Sequence, residues 1–462
     1  MEAPDDDIQR TPAEENIWYQ LATIYGVPES ADDPIQVQNR ITWNRTMATL
    51  AERYDPEAKR HLLALERQDW WDEKEIEPFN DLEISKLNIV IRIINNNKSE
   101  YTVISFIKIK EINAFFSRLI FAFVTFFDRC EFDKMNFDGS IFIKHSFLCG
   151  SKIKNIALFN FAKFISVATI SGNTFSGYAD FGETQFNEYT RIDNNTFSMA
   201  VIFRDSEFLG EADFFNNEFL SSSYFSATRF KLGAIFKGAI FAENADFSQV
   251  RFGGETTFVN AKMQDETRFV QAVFESSPPL FFGTTLHEGT TWNRDRSAWP
   301  LPMKKEEASQ FVAAYERLKL EMDRLKKHED EMDFFALELQ SRRIEMGEYS
   351  PYGILIWLYG ALSDYGRSYV HPLKWIAAIV LAGFLILLFD AHQPDELLGK
   401  FALSAANTFA LLGIRREFID PEVTKALAQN GTLSFIATLQ AVAGAFLTFL
   451  VGLGLRNKLR MK

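Results

Sequence analysis

The chain has 462 residues and a formal net charge of −13, set by 49 Lys and Arg against 62 Asp and Glu. This length allows two or three domains, and net acidity disfavours non-specific binding to nucleic acid. The acidity is concentrated at the start, since residues 1–86 carry 20 acids against 9 bases while residues 127–285 carry 19 against 14.

The opening MEAPDDDIQR is acidic and has no apolar run, so no secretory signal is expected there. Residues 1–86 read as a small helical module. WYQLATIYG (18–26) is a short apolar stretch, Val37, Ile41, Trp43 and Met47 give an imperfect helical stripe, and Trp70 and Trp71 are candidates to extend the core. A packing or capping role is expected, with a partner-binding patch as the alternative. Residues 87–126 contain IVIRII and YTVISFIKI, which read as strands, and the dense apolar run FFSRLIFAFVTFF. That run carries Arg118 and falls short of the roughly 20 apolar residues of a membrane span. It is expected to be the entrance to the next segment, or its cap.

From about residue 127 a phenylalanine repeat takes over. It opens with five-residue steps (Phe127, Phe132, Phe137, Phe142, Phe147) and loosens through Ile153, Phe159, Phe164, Ile170 and Phe175. It then alternates steps of five and six through Phe181, Phe186, Phe197, Phe203, Phe208, Phe214, Phe219, Phe225, Phe230, Phe236, Phe241, Phe247, Phe252, Phe258, Phe269 and Phe274. Ile192 and Met263 fill the two gaps. Neither the 3.6 period of a helix nor the 2.0 period of a strand matches this spacing. An eleven-residue unit repeated many times predicts a solenoid in which each turn of chain stacks on the last.

Within the repeat the fragments YADF (178–181), GEADF (210–214) and ENADF (243–247) recur, with Ala two residues before Phe. The pattern resembles the pentapeptide-repeat family, in particular its longer variant in which A-D-F units alternate with five-residue steps. The resemblance implies a right-handed, four-sided β-helix with the central Phe and the small residue two places earlier pointing inward. Each buried ring then contributes about 1.5–3 kcal/mol. About 22 residues per coil and about 4.8 Å per layer give a rod on the order of 35 Å long. Both ends of such a rod expose unpaired backbone and need covers. The N-terminal module and the segment around Trp292 and Trp299 are the candidates.

Residues 303–347 change to a charged helical pattern. Phe311, Tyr315, Leu318, Met322, Leu325, Met332, Ala336 and Leu339 predict an antiparallel helix pair or a short coiled coil. Beyond it, PLKWIAAIVLAGFLILLF (372–389) and TLSFIATLQAVAGAFLTFLVGLGL (432–455) have the length and apolarity of transmembrane helices. YGILIWLYGALSDYG (352–366), rich in Tyr and Trp, is expected to lie at the membrane interface. Arg456, Lys458, Arg460 and Lys462 follow the second span, and Arg367 and Lys374 flank the first. This asymmetry predicts cytoplasmic N- and C-termini, against the counterweight of Arg415 and Arg416 in the connecting loop.

Between the spans, FALSAANTFALLGIRREF (401–418) is apolar but too short to cross. The order of span, short helix and span is similar to a two-helix ion-channel subunit, although ALLGIRR (410–416) lacks the T-x-G-Y-G filter of potassium channels. Ser404, Asn407, Thr408, Ser434, Thr438 and Gln440 are the candidate residues for lining a pore or packing helices.

Catalytic patterns are missing. Cys130 and Cys149 are too few for a disulfide framework and belong to no metal-type cluster, so a reduced pair is expected. The histidines (His61, His145, His287, His328, His371, His392) form no H-E-x-x-H or H-x-x-x-H pattern, and no Walker or G-x-S-x-G motif is present. The expectation is a non-enzymatic protein with no cofactor. It would be tethered in a bacterial inner membrane as a homo-oligomer and offer its solenoid to a protein partner. The alternative is an oligomeric channel assembled or gated by the solenoid. Some relatives in the resembling family mimic B-form DNA, but the weak charge of this repeat argues against that role and against a nucleic-acid partner.

Overall fold

A computed structural model describes residues 11–28, 33–65, 77–80, 83, 89, 93, 103–107, 109–110, 112–389, 397–413 and 431–460. Trp70, Trp71, Arg415, Arg416 and Lys462 lie outside the described residues. The chain divides into two compact units, Met1–Pro300 and Leu301–Lys462.

The alternation of five and six residues has a backbone cause. Two corners of every coil carry a residue with positive φ: Arg118, Gly139, Phe161, Glu183, Asp205, Ala227, Gln249 and Gln271 at one, and Arg129, Gly150, Gly172, Asn194, Asn216, Gly238, Asn260 and Gly283 at the other. Each sits inside a five-residue step, with one correction to the expected repeat: Gly150 lies between Leu148 and Ile153, because Leu148 takes the inward place and Phe147 is half-buried, stacked on Phe126. Glu183 lies between Phe181 and Phe186, where Thr184 N donates back to Phe181 O at 3.3 Å. A tight turn with its third residue left-handed has type II character. The six-residue steps make the wider corners, and among the described residues Gly233, between Phe230 and Phe236, is the one positive-φ residue in them.

All strand pairing in the rod is parallel, with partners one coil apart. The register is Val103↔Val124 in the first coil, Phe175↔Phe197 in the middle and Thr257↔Leu280 in the last. The coil therefore lengthens from 21 to 23 residues along the rod. One eight-stranded face runs from Val103–Ile107 to Glu255–Thr257, and another from Ile120–Phe121 to Val273–Phe274. A thirteen-stranded sheet supplies the other two faces, joined where the longer strands Glu131–Asn136 and Lys152–Leu158 bend around a corner. The result is a four-sided β-helix of about eight turns, roughly 40 Å long at the spacing of paired strands. Its first coil starts at Val103, inside the segment read from sequence as an entrance.

The repeat phenylalanines stack in columns along the axis. Phe137, Phe159, Phe181, Phe203, Phe225, Phe247 and Phe269 form one, with neighbouring ring centroids 4.7–5.2 Å apart. Phe121, Phe142, Phe164, Phe186, Phe208, Phe230, Phe252 and Phe274 form a second. Phe175, Phe197, Phe219 and Phe241 continue to Met263, and Phe214, Phe236, Phe258 and Phe281 follow Ile192. These rings are all buried.

Both ends are covered. Three described helices precede the rod: α1 (Ile17–Ala22), α2 (Pro34–Tyr54) and α3 (Pro56–Leu65). Trp43 of α2 stacks on Phe116 and donates its indole N–H to Ile120 O at 2.7 Å. The Asn44 amide accepts from Ile120 N at 2.9 Å and donates to Arg118 O at 3.2 Å. The stripe expected on α2 is corrected here. Trp43 and Met47 are buried, but Val37 is exposed, and Gln36, Asn39, Thr42, Asn44 and Thr46 are buried instead. Asn44 pairs open β backbone, where unpaired buried N–H and C=O groups are costly, and Asn39 pairs Tyr25 N and Gly26 O within the helical module. At the other end Trp292 stacks on Phe269 at 4.9 Å, and Trp299 packs on Phe274 at 5.2 Å.

In the second unit, α4 (Lys305–Arg324) and α5 (His328–Met346) form the expected helix pair. Phe311, Tyr315, Leu318 and Met322 are buried as their spacing predicts. On α5 the buried set is Phe334, Ala336, Leu337, Glu338 and Ser341, whereas Met332 and Leu339 are half-buried. The left-handed turn at Lys326 resets the phase between the helices. Next come α6 (Pro351–Ser363), α7 (Val370–Leu388), α8 (Leu397–Thr408) and α9 (Gly431–Arg460). Helices α7 and α9 are long and apolar enough to cross a membrane.

Candidate functional site

Two surfaces are candidates: the sides of the solenoid, and the polar residues among the apolar helices. On the solenoid the small position two residues before each Phe points inward. In the five-residue steps it is often polar. Asn173, Asn195 and Asn217 are buried one above another, 22 residues apart. Asn195 Oδ1 accepts from Asn173 N at 2.9 Å, and Asn195 Nδ2 donates to Ile170 O at 2.8 Å. At the opposite corner Thr184, Ser206 and Thr228 donate to Phe159 O, Phe181 O and Phe203 O. These columns close corners whose backbone groups have no ladder partner, so they are framework rather than recognition.

Outward positions carry mixed charge paired between or within coils: Arg229–Glu207 at 3.4 Å, Arg251–Glu275 at 3.6 Å, Arg268–Glu266 at 3.0 Å and Lys154–Glu131 at 2.6 Å. Tyr178 donates to Asp180 at 3.0 Å, and burial together with that carboxylate pushes its phenol up to about 12. An open groove of about 470 Å³ runs between α3 and the solenoid corners, lined by Glu57, His61, Lys144, His145, Ile165 and Glu188 among others. Lys144 bridges to Asp55 at 3.7 Å and to Glu57, whose carboxyl it holds below the usual range.

Among the apolar helices three of the predicted polar residues converge. Gln440 Nε2 on α9 lies 2.9 Å from Ser404 Oγ, 3.0 Å from Ser404 O and 2.9 Å from Thr408 Oγ1 on α8. Ser404 Oγ in turn donates to Val380 O on α7 at 2.7 Å. One buried network therefore ties three helices. Glycine permits the approach: a Cβ on Gly383 would lie 2.5 Å from Ser404 Oγ, and one on Gly444 would lie 1.9 Å from Thr408 O. Asn407 is buried beside the network, and its Oδ1 has no hydrogen-bond partner among the described residues. Ser434 and Thr438 do not join the network. Thr438 is exposed and bonds back to Ser434 O within its own helix.

A family model described as pentapeptide repeats (9 copies) matches residues 236–277. The four-sided coil and its stacked inward Phe carry the same pattern beyond that match. The solenoid is a pentapeptide-repeat fold. No curated protein and no solved structure matches it. Pentapeptide-repeat solenoids are generally structural or interaction folds rather than catalysts. The described residues of this one contain a single grouping of metal-ligand type, Asp323, His328 and Glu331. His328 and Glu331 pair at 3.0 Å across one turn at the start of α5, as solvated helix termini commonly do. Neither cysteine forms a disulfide.

The buried Asn, Ser and Thr columns were not separated from the Ala positions in the sequence, although Asn-x-Phe recurs at 173, 195 and 217. That recurrence every 22 residues was the available signal.

Proposed function

We propose that this protein is a membrane-tethered interaction protein. Its solenoid is presented to a protein partner at the cytoplasmic face of a bacterial inner membrane, and it assembles as a homo-oligomer. The observation that carries the reading is the outer face of α9. Phe435, Leu439, Val442, Phe446 and Phe449 are each more than half exposed, while the opposite face holds the Gln440 network. Five large apolar side chains on one face of a 30-residue helix suit hydrocarbon and not water. The exposed cations Arg456, Lys458 and Arg460 at the end of α9 support a cytoplasmic C-terminus. The test is flotation of the full chain with phospholipid vesicles after an alkaline wash. Retention with the vesicles is expected, and release into the wash would overturn the tether.

An oligomeric pore is the second reading. It is favoured by α8, a 12-residue helix packed against both long ones, and by the unpaired Asn407 Oδ1, an acceptor that a neighbouring subunit could satisfy. A ring of four or more subunits, with ion flux lost on deleting 401–418, would favour the pore. A monomer or dimer without flux would leave the hairpin as an anchor.

A further inference from the structure

We infer that α6 and the cationic end of the α7/α9 pair form a binding surface for anionic phospholipid headgroups. This rests on the membrane-tethered reading and adds the lipid class and the residues that meet it. Helix α6 packs in the second unit yet leaves Tyr352, Ile354, Leu355, Trp357 and Leu358 exposed. Such a helix in water would be anomalous for its length.

Its height relative to the long helices is fixed by named contacts. Trp375, in the second turn of α7, donates its indole N–H to Ala361 O near the end of α6 at 3.1 Å. Asn457 of α9 donates to Gly366 O, just beyond α6, at 2.9 Å. A Cβ on Gly454 would lie 2.7 Å from Tyr369 N, so α9 passes the start of α7 at this same level. The apolar α6 therefore lies where α7 begins and where α9 runs into its basic end. Helix α9, at about 1.5 Å per residue, is longer than the roughly 30 Å hydrocarbon core, so its last turns stand among the headgroups.

At that level Lys374, Arg456 and Lys458 are exposed. Of the other charged residues described there, Arg367 pairs with Asp333 at 2.5 Å, and Arg460, also exposed, lies 3.9 Å from Asp323. Asp364 caps the end of α6. The exposed cations beside an apolar helix rich in Tyr and Trp are complementary to a layer of anionic headgroups over acyl chains. A protein partner would meet the same apolar side chains but gives no reason for their alignment with the start of one span and the end of the other.

The test uses the full chain reconstituted in vesicles. The fluorescence difference between wild type and Trp357→Phe isolates Trp357. Its emission is expected to be quenched more by lipids brominated near the carbonyl end of the acyl chain than by lipids brominated near the tail. In the same vesicles, spin-labelled phosphatidylglycerol is expected to be immobilised about two-fold or more over phosphatidylcholine. The variant Lys374→Gln/Arg456→Gln/Lys458→Gln is expected to bring that ratio to one. An unquenched Trp357, or a ratio of one in the wild type, overturns the inference while leaving the tether intact if the chain still floats. A chain that fails to float overturns both.

Discussion

Replacing Asn195 with Ala tests whether the buried polar columns hold the coils. The Asn195 side chain is 1% exposed, and the same column carries Ala at 239 and 261, so Ala fits without a clash. The substitution removes the acceptor for Asn173 N–H and the donor to Ile170 C=O. An orphaned buried polar group costs about 1–3 kcal/mol, so two cost about 4 kcal/mol at the middle of that range. Relief is available to one of them. Asn217, which faces Ala239 in the next coil, turns its own Nδ2 to Phe214 O at 3.0 Å, and Asn173 can do the same for Ile170 O. The loss should therefore be about 2–4 kcal/mol.

Asn195→Ser separates hydrogen bonding from volume. Ser151 in this column already accepts from Cys130 N at 2.9 Å, so Ser should keep the more important bond and lose about half as much. Hydrogen exchange of the segment containing Asn173, followed by mass spectrometry on the full chain, reads the effect locally. Protection should fall about 30-fold to several hundred-fold in the Ala variant, and clearly less in the Ser variant. If Ala and Ser behaved alike and stayed within about three-fold of wild type, the columns would be space-filling and the hydrogen-bond argument would fail.

At the left-handed corners, Ala227→Gly should stabilise the rod by about 0.5–1 kcal/mol, seen as a higher melting temperature, because Gly removes the Cβ penalty at φ 59°; a lower melting temperature would refute it. In the second unit, Gly444→Ala places a Cβ 1.9 Å from Thr408 O and should lower thermal stability in detergent more than Gln440→Leu. The latter loses a buried network worth about 1–2 kcal/mol; the reverse order would show the glycine contact to be soft. Burial raises the Asp138 carboxyl above its ordinary value despite the Asn160 amide bonds that oppose the shift. A carboxyl with a raised folded pKa costs stability once pH exceeds that pKa and costs nothing below the unfolded pKa. Asp138→Asn should therefore gain on wild type in urea unfolding at pH 7, with the gain disappearing as pH falls toward about 4; a gain independent of pH would remove the electrostatic cause.

Much of the architecture was legible because it is periodic and local. The steps of five and six between Phe residues reported a coil of 22, two tight corners and two wide ones, because each step length corresponds to a kind of turn. The length and apolarity of α7 and α9 needed no partner to be read. The parts that were not legible depend on groups distant in sequence. Whether Asn173 or Asn44 is buried depends on a backbone N–H that its side chain accepts from, Ser151 N one coil away or Ile120 N 76 residues away. The phase of α5 depends on one left-handed residue at Lys326. Ser404, Thr408 and Gln440 could be recognised as polar residues in apolar helices, but only the packing of α7, α8 and α9 decided that they face each other while Thr438 faces outward. Periodicity determined where the chain turns and what it buries by bulk. The tertiary structure determined which polar groups are satisfied, because a hydrogen bond needs both partners in place.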